Sequence, residues 1–383
     1  MRYRFTCLTP LLVGDGSRLS PIDYMVWKDQ VNVLDQRRIF RLLAKGPRLD
    51  NYLSQLKNAE KLDFASWGGF AQNFADRRIP FEHPSCGAHW GRGRVETLHI
   101  PTFVSGPHGP YLPGSAIKGA LRTGVLHAGL KEGSLEKLAA LFHTERPPRR
   151  PGELLEERTL GAGGASRMRV VRAFDSDPVP TSAMRVYMLR VASLKGRGKD
   201  GFSLAWKQSA GGADGMKPED GGATFAEMAA PGTVFEGEWQ EPPFLTKADT
   251  YRALNWREPL TRGAIFESVN KYSLAQMEAH KHFAEIAGLT IVKDTLQRLE
   301  GQLAEAREGG AACLLQLGWG GGLLSRTAWL NTDDESFRDI IVQSKLYGKS
   351  PYAGFPFPKT RRIVFLDDRP ATLPGWGILE AGG

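Results

Sequence analysis

The sequence predicts an α+β fold made of two core-bearing units, and three observations carry that expectation. Strand-like alternation and helix-like periodicity follow one another in both halves of the chain, the pattern of sheets with helices packed against them. A length of 383 residues exceeds what one compact core ordinarily serves, so a division near residue 226, into 1–226 and 227–383, is expected. The 44 glycines and 24 prolines cluster between ordinary-looking elements, which predicts many ordered loops rather than disorder. No repeat of fixed period links the halves.

The elements follow in order. Residues 2–8 alternate polar and apolar and read as a strand, and Gly14, Asp15, Gly16 and Ser17 as a tight loop. Segments 22–26 and 30–34 are hairpin arms around Lys28 and Asp29. Residues 39–57 have helical spacing, 58–95 read as an irregular, aromatic-rich insertion, and 98–104 as a strand. Pro113 and Gly114 signal a turn and Ser115 an N-cap. The amphipathic helix that follows buries Ile117 and Leu121. A second helix covers 135–142, and 147–151, with Arg149 and Arg150, is a basic linker. Strands at 170–174 and 184–192 precede a glycine-rich basic insertion at 195–222, in which alternating Phe202, Leu204 and Trp206 form a short strand. The alternation T-V-F-E-G-E-W-Q at 233–240 restarts the strand pattern. Helical periodicity dominates 265–307, and 313–317 and 363–366 are later strands.

A formal charge of +8 and a pI near 9.3 call for an acidic partner, and nucleic acid fits better than an anionic membrane. No apolar run is long enough to span a bilayer, since glycines and Gln316 interrupt 309–325. The N-terminus starts with a strand-like alternation and shows no signal-peptide core, and three scattered cysteines make no disulfide framework. A reducing cytoplasm is therefore the expected compartment.

The most informative segment is 111–125, Y-L-P-G-S-A-I-K-G-A-L-R-T-G-V. Lys118 and Arg122 lie four residues apart near the start of its helix, beside Ser115 and free backbone N–H groups. That convergence suits an anion, above all a phosphate. Gly119 and Gly124, each unfavourable by about 1 kcal/mol in a helix, imply the close approach of another backbone. The loop G-W-G-G-G-L-L-S at 318–325 can bring amides to phosphates, with Trp319 stacking on a base or packing inward.

These segments resemble signatures of the RAMP superfamily, the repeat-associated RNA-binding proteins of CRISPR systems. Segment 111–125 resembles the family's helix signature. T-P-L-L-V-G-D-G-S with L-S-P-I-D-Y, at 9–17 and 19–24, resembles its N-terminal strand and loop. G-W-G-G-G-L-L-S-R-T at 318–327 resembles its glycine-rich loop, and P-K-T-R-R-I-V-F at 358–365 its last basic strand. The L-S-P-I-D-Y opening and the length look most like the Csm-type subunit that caps the crRNA 3′ end in type III-A effector complexes. The resemblance covers most of the chain and implies two ferredoxin-like (RRM-type) domains with loop and helical insertions. It implies a noncatalytic, cofactor-free crRNA-binding role in crRNA maturation and antiviral defence. The implied partners are crRNA, the repeated Csm-type backbone subunit, a small helical Csm-type subunit and, as a further candidate, target RNA. The residues expected to meet RNA are Gly14, Gly16, Ser17, Ser115, Lys118, Arg122, Arg167, Arg169 and Arg172. Gly320, Gly321, Gly322, Ser325, Arg326, Lys359, Arg361 and Arg362 complete the set.

Competing readings are weaker. Gly348, Lys349 and Ser350 end like a nucleotide P-loop, but Gln343 stands where that motif needs glycine. His83, Cys86, His89 and His99 have short spacings for zinc yet match no firm signature, and packing is the preferred reading. Asp15 and Asp23 are the carboxylates to weigh for target-RNA cleavage by a backbone-type subunit, although Asp15 between two glycines reads better as a turn residue. Asp175 and Asp177 likewise form turns. His108 and His127 flank the basic helix and are the candidates for an endoribonuclease that processes the guide precursor. A purely structural assembly protein is the remaining alternative.

Overall fold

The computed structural model describes residues 1–27, 29–44, 46, 48–58, 62, 74–94, 97–131, 133–147, 149–196, 201–208, 214–257, 259–345 and 356–382. The P-loop-like ending at 348–350 lies outside them. Helices and sheets are mixed throughout, as an α+β fold requires. The chain opens with β1 (Arg2–Cys7), the short β2 (Arg18–Leu19) and the hairpin β3 (Tyr24–Trp27) and β4 (Gln30–Leu34). Helices α1 (Gln36–Leu43) and α2 (Arg48–Asn58) follow, then β5 (Ala75–Pro80) and α3 (Ser85–Arg92). The two-residue strands β6 (Ile100–Pro101), β7 (Ser105–Gly106) and β8 (Gly109–Pro110) lead to α4 (Gly114–Gly129), α5 (Ser134–Phe142) and α6 (Pro151–Leu160). The middle of the chain supplies β9 (Arg172–Ser176), β10 (Met184–Gly196), β11 (Phe202–Trp206), β12 (Thr224–Ala229) and β13 (Val234–Gln240). Then come α7 (Ala248–Ala253), α8 (Arg262–Ala287), α9 (Thr290–Gly309), β14 (Ala312–Gln316) and α10 (Glu335–Gln343). The chain closes with β15 (Thr360–Leu366), β16 (Arg369–Thr372) and β17 (Trp376–Ala381).

The first large sheet has the order β14-β17-β1-β13-β9, every pair antiparallel. Tyr3, Phe5 and Cys7 of β1 alternate inward with Phe235 and Trp239 of β13, so one face is core and the other carries Arg2, Arg4 and Glu236. Helices α4 and α8 pack on this sheet and on each other. In the second sheet β10 is central, with β11 and β12 along one edge and β15, then β16, along the other. Its β10 is buried over nearly its whole length, so it lacks the alternation of an amphipathic strand. One continuous core runs from Tyr3 to Ala381.

Both large sheets draw strands from each side of residue 226, which itself falls inside β12. Within 58–95, the segment read as irregular, β5 completes a small sheet β3-β4-β5 and α3 follows it. That small sheet is tied to the second large sheet by Arg77, whose Nη2 donates to buried Glu227 over 3.0 Å. The single helix expected at 39–57 is two, α1 and α2, interrupted by the sequence Gly46-Pro47. The strand expected at 98–104 shrinks to Ile100–Pro101, and Leu98 and Phe103 are core contacts without a ladder. The linker at 147–151 gives way to helix α6, which opens on Pro151 as its first residue. Among the described residues no helix is long and apolar enough to cross a membrane.

Gly124 sits at the α4–α8 crossing, where an added Cβ would lie 2.8 Å from Val269 Cα, and this is the close approach the sequence implied. Gly119 has open space around it and plays no such part.

Candidate nucleic-acid interface

The loop after β14 is built by three chain segments laced together. Trp319 N donates to Leu12 O over 2.7 Å, Leu317 N to Gly375 O over 2.8 Å, and Gly375 N to Pro10 O over 2.9 Å. Gly318, at φ +75°, presses against the Leu12 carbonyl, where an added Cβ would sit 2.1 Å from the oxygen. Only glycine meets both demands. The same N-terminal segment continues into Gly14, Asp15, Gly16 and Ser17, held by Ser17 O accepting from Thr102 N. Asp15 Oδ1 accepts from Ser17 N over 2.8 Å, and those Ser17 hydrogen bonds hold its exposed carboxyl below the usual range. Asp23 Oδ2 accepts from Ser20 N over 2.7 Å. Both aspartates are therefore local turn formers in this structure.

Beneath Gly320, Gly321 and Gly322 lies a cavity of about 240 Å³ that also touches His280, Gln316, Arg361 and Arg362. Arg361 points inward rather than onto a surface track. Its Nε donates to His280 Nδ1 over 2.9 Å and its Nη1 to Pro358 O over 2.6 Å, and the guanidinium lies 4.6 Å from the Phe283 ring centroid. Burial lowers its pKa to about 9. Because Arg361 donates to Nδ1, the His280 ring proton belongs on Nε2, a buried atom with no partner among the described residues. Burial, then the Arg361 charge, push this imidazole well below its ordinary range, so it is neutral. Arg362 lies over Trp319, 4.1 Å from the ring centroid, and burial lowers its pKa as well. Among the described residues neither guanidinium has a carboxylate partner. A buried cation without a counter-charge is costly, so this pocket favours an incoming anion. Ser325 Oγ donates to Gly322 O over 3.1 Å and braces the loop, and Arg326 is exposed just beyond it. Lys359 is exposed at the start of β15.

The α4 helix differs from its sequence reading. It starts at Gly114 with Pro113 as N-cap, so Ser115 lies inside the first turn and caps nothing. The Gly114 amide donates to Asp175 Oδ1 over 2.9 Å, so a carboxylate of this chain already occupies the helix N-terminus. Lys118 Nζ donates to Val171 O over 2.8 Å, and burial, then neighbouring Arg172, lower its pKa. Arg122 pairs with Glu156 of α6. Arg169 donates to Gly164 O, Arg172 is exposed on the edge strand β9, and Arg167 lines a separate cavity. The structure thus gathers Gly320, Gly321, Gly322, Ser325, Arg361 and Arg362 in one place, with the Gly14–Ser17 loop following the 10–13 segment laced to it. It leaves Ser115, Lys118 and Arg122 out of that pocket.

His280, Gln276 and Gln316 were not anticipated. Asn270, Ser273, Gln276 and His280 form a buried polar stripe along α8. Asn270 Oδ1 accepts from Leu314 N over 2.9 Å, Ser273 Oγ donates to Leu314 O over 2.6 Å, and Gln276 Nε2 donates to Gln316 Oε1 over 2.9 Å. The stripe covers the free edge of β14, the outer strand of its sheet, and carries His280 to the pocket. Polar residues at helical spacing on an apolar face were the signal available in the sequence.

The other chemistry-bearing residues are engaged locally. His83 Nδ1 is 2.8 Å from Ser85 Oγ, His89 Nε2 is 2.9 Å from Asp368 Oδ1, and Cys86 is buried. No metal-type cluster of three side chains forms among the described residues. His127 Nδ1 is 2.7 Å from Ala328 O, and His108 is exposed in the β7–β8 turn.

Comparison with known proteins adds an independent line. A family model described as the RAMP superfamily matches residues 4–325. Two curated relatives, both the CRISPR system Cms protein Csm5 of Mycobacterium tuberculosis (strains CDC 1551 / Oshkosh and ATCC 25618 / H37Rv), are 24% identical over 305 residues. That alignment spans 69% of this chain and 76% of theirs. A chain in the cryo-EM structure of a Csm–crRNA–target RNA ternary complex of a type III-A CRISPR-Cas system superposes with a TM-score of 0.70. It is 22% identical, over 99% of this chain and 100% of that one. The crystal structure of T. onnurineus Csm5 gives a TM-score of 0.60 at 18% identity, over 99% and 100%.

Proposed function

We propose that this chain, which belongs to the RAMP superfamily, is a noncatalytic guide-RNA-binding subunit of a type III-A CRISPR effector, seated at the 3′ end of the guide. The observation that carries the reading is the pocket under the glycine-rich loop. One buried and one half-buried guanidinium, neither with a carboxylate partner among the described residues, a neutral histidine N–H and the amides of Gly320–Gly322 together suit an RNA phosphate. Arg326, exposed just beyond the glycine-rich loop, and the Gly14–Ser17 loop extend the contact surface. The likeness to Csm5 and to a chain of a Csm–crRNA–target RNA complex supports crRNA as the ligand. The partners are then the repeated backbone subunit and the small helical subunit, in the cytoplasm, with target RNA beyond. The fold reading carried with it is two ferredoxin-like units, and each large sheet draws strands from both sides of residue 226. A noncatalytic role agrees with Asp15 and Asp23 being committed to turns.

The test is filter retention of a single-stranded guide RNA over a salt series, with wild type and an Arg326→Ala/Arg362→Ala variant. Wild type should bind with steep salt dependence and leave the RNA intact. The variant should bind more weakly, with a log–log salt slope shallower by roughly 1–2. Cleaved RNA would replace this reading with the endoribonuclease, and unchanged binding by the variant would overturn the site assignment.

A further inference from the structure

A second cavity, about 990 Å³, opens where the end of α4, the start of α5, the end of α6 and the segment after α7 meet. Its floor is aliphatic: Leu130, Leu155, Leu254 and Leu260 are each partly exposed there. Its rim is cationic. Lys131, Lys137, Arg158 and Arg257 are exposed and make no ion pair among the described residues, and among those residues Glu157 is the single acidic one in the lining. This groove is distinct from the pocket under the glycine-rich loop, with which it shares no lining residue.

We infer that the groove docks an acidic, leucine-type segment of a partner protein. Four exposed cations without an ion pair among the described residues, set around an aliphatic floor, are complementary to a peptide in which carboxylates alternate with aliphatic side chains. The former meet the rim, and the latter cover leucines that otherwise stay wet. The volume lies at the top of the range of about 300–1,000 Å³ for small-ligand pockets, so a short stretch of chain fits better than a single ion. RNA is disfavoured by the same lining. A phosphodiester backbone brings nothing to cover the leucines, and base stacking needs an exposed aromatic face. Among the described lining residues the one aromatic, Trp256, is 6% exposed, with its Nε1 committed to Ala165 O over 2.5 Å. The inference does not depend on the RNA-binding proposal.

The experiment is fluorescence anisotropy of the purified full chain with a fluorescein-labelled Glu-Leu-Asp-Leu-Glu-Leu-Asp-Leu peptide. Two controls replace its acids by amides or its leucines by serines, and an oligouridylate is titrated in parallel. The acidic leucine peptide should bind, and each control should bind about tenfold more weakly or worse. Lys131→Glu/Lys137→Glu should weaken that peptide by a similar factor and leave oligouridylate binding and the melting curve unchanged. If that variant melts early, Arg158→Gln/Arg257→Gln gives the same readout without charge reversal. Absence of peptide binding, equal binding of the amide control, or loss of oligouridylate instead of peptide in the variants would each overturn the inference. Failure of oligouridylate to bind wild type would count against the RNA proposal alone.

Discussion

His280 and Arg361 lie 2.9 Å apart inside the protein, and their pairing makes a pH prediction with a definite sign. The folded chain keeps the imidazole neutral, well below 6.5, while the unfolded chain protonates it near that value. Protons therefore favour the unfolded state, and stability should fall as pH drops below about 6.5, by up to ~1.4 kcal/mol per pH unit from this residue. Urea unfolding at neutral and mildly acidic pH should show a smaller drop for His280→Gln, which keeps an acceptor for Arg361 without titrating. Identical pH dependence in wild type and variant would remove His280 from the account. A second prediction concerns the α4 cations. Lys118 and Arg122 already serve Val171 O and Glu156, so their alanine variants should hold RNA affinity within about twofold, since each ion or hydrogen bond there is internal. Sequence shows that such cations exist but not which partner reaches them first, and the partners here are 34 and 53 residues away. Filter retention with the two single variants decides it, and a tenfold loss in either would restore the helix to the RNA contact set.

The element scale separates two glycines that look alike in the sequence. Gly119 and Gly124 both interrupt α4, and both predict a close neighbour; only Gly124 has one, at Val269 of α8. Gly119→Ala should stabilise the protein by about 1 kcal/mol through helix propensity. Gly124→Ala meets Val269 Cα at 2.8 Å, and overpacking of about 1–3 kcal/mol outweighs the same propensity gain. Denaturant midpoints moving in opposite directions would confirm the pair, and a stabilised Gly124→Ala would show that the helices can part. The legible features at this scale were those with a local cause. β1, β11, β13 and α5 follow from alternation or spacing within a few residues. The break between α1 and α2 has a local signal in the sequence, Gly46-Pro47, which the helical spacing over 39–57 does not reveal. The N-cap of α4 was not legible, because its anion, Asp175, arrives from a strand paired elsewhere in the sheet.

At the scale of the whole molecule, the order of strands in the sheets is the feature furthest from anything local. β1 lies between β13 and β17, so Phe5 faces Phe235 on one side and Leu379 on the other. Contacts across more than two hundred residues leave no periodic mark, which is why the sequence suggested a division near 226 and could not show how the sheets are assembled. β10 likewise pairs with β15 from the far end of the chain. A piece ending at 226 would keep β1 and β9 of the first sheet, strands that share no ladder because β13 lies between them, and would lack β13, β14 and β17 together with helix α8. Its apolar strand faces would be wet and its ladder groups unpaired, so residues 1–226 alone should show no cooperative unfolding transition. The full chain should unfold in urea as one transition, with tryptophan fluorescence and far-ultraviolet circular dichroism coincident, because one core joins both sheets. Two separated transitions, or a cooperatively folding 1–226 piece, would mean that the strands drawn from across residue 226 add little and that each half carries its own core.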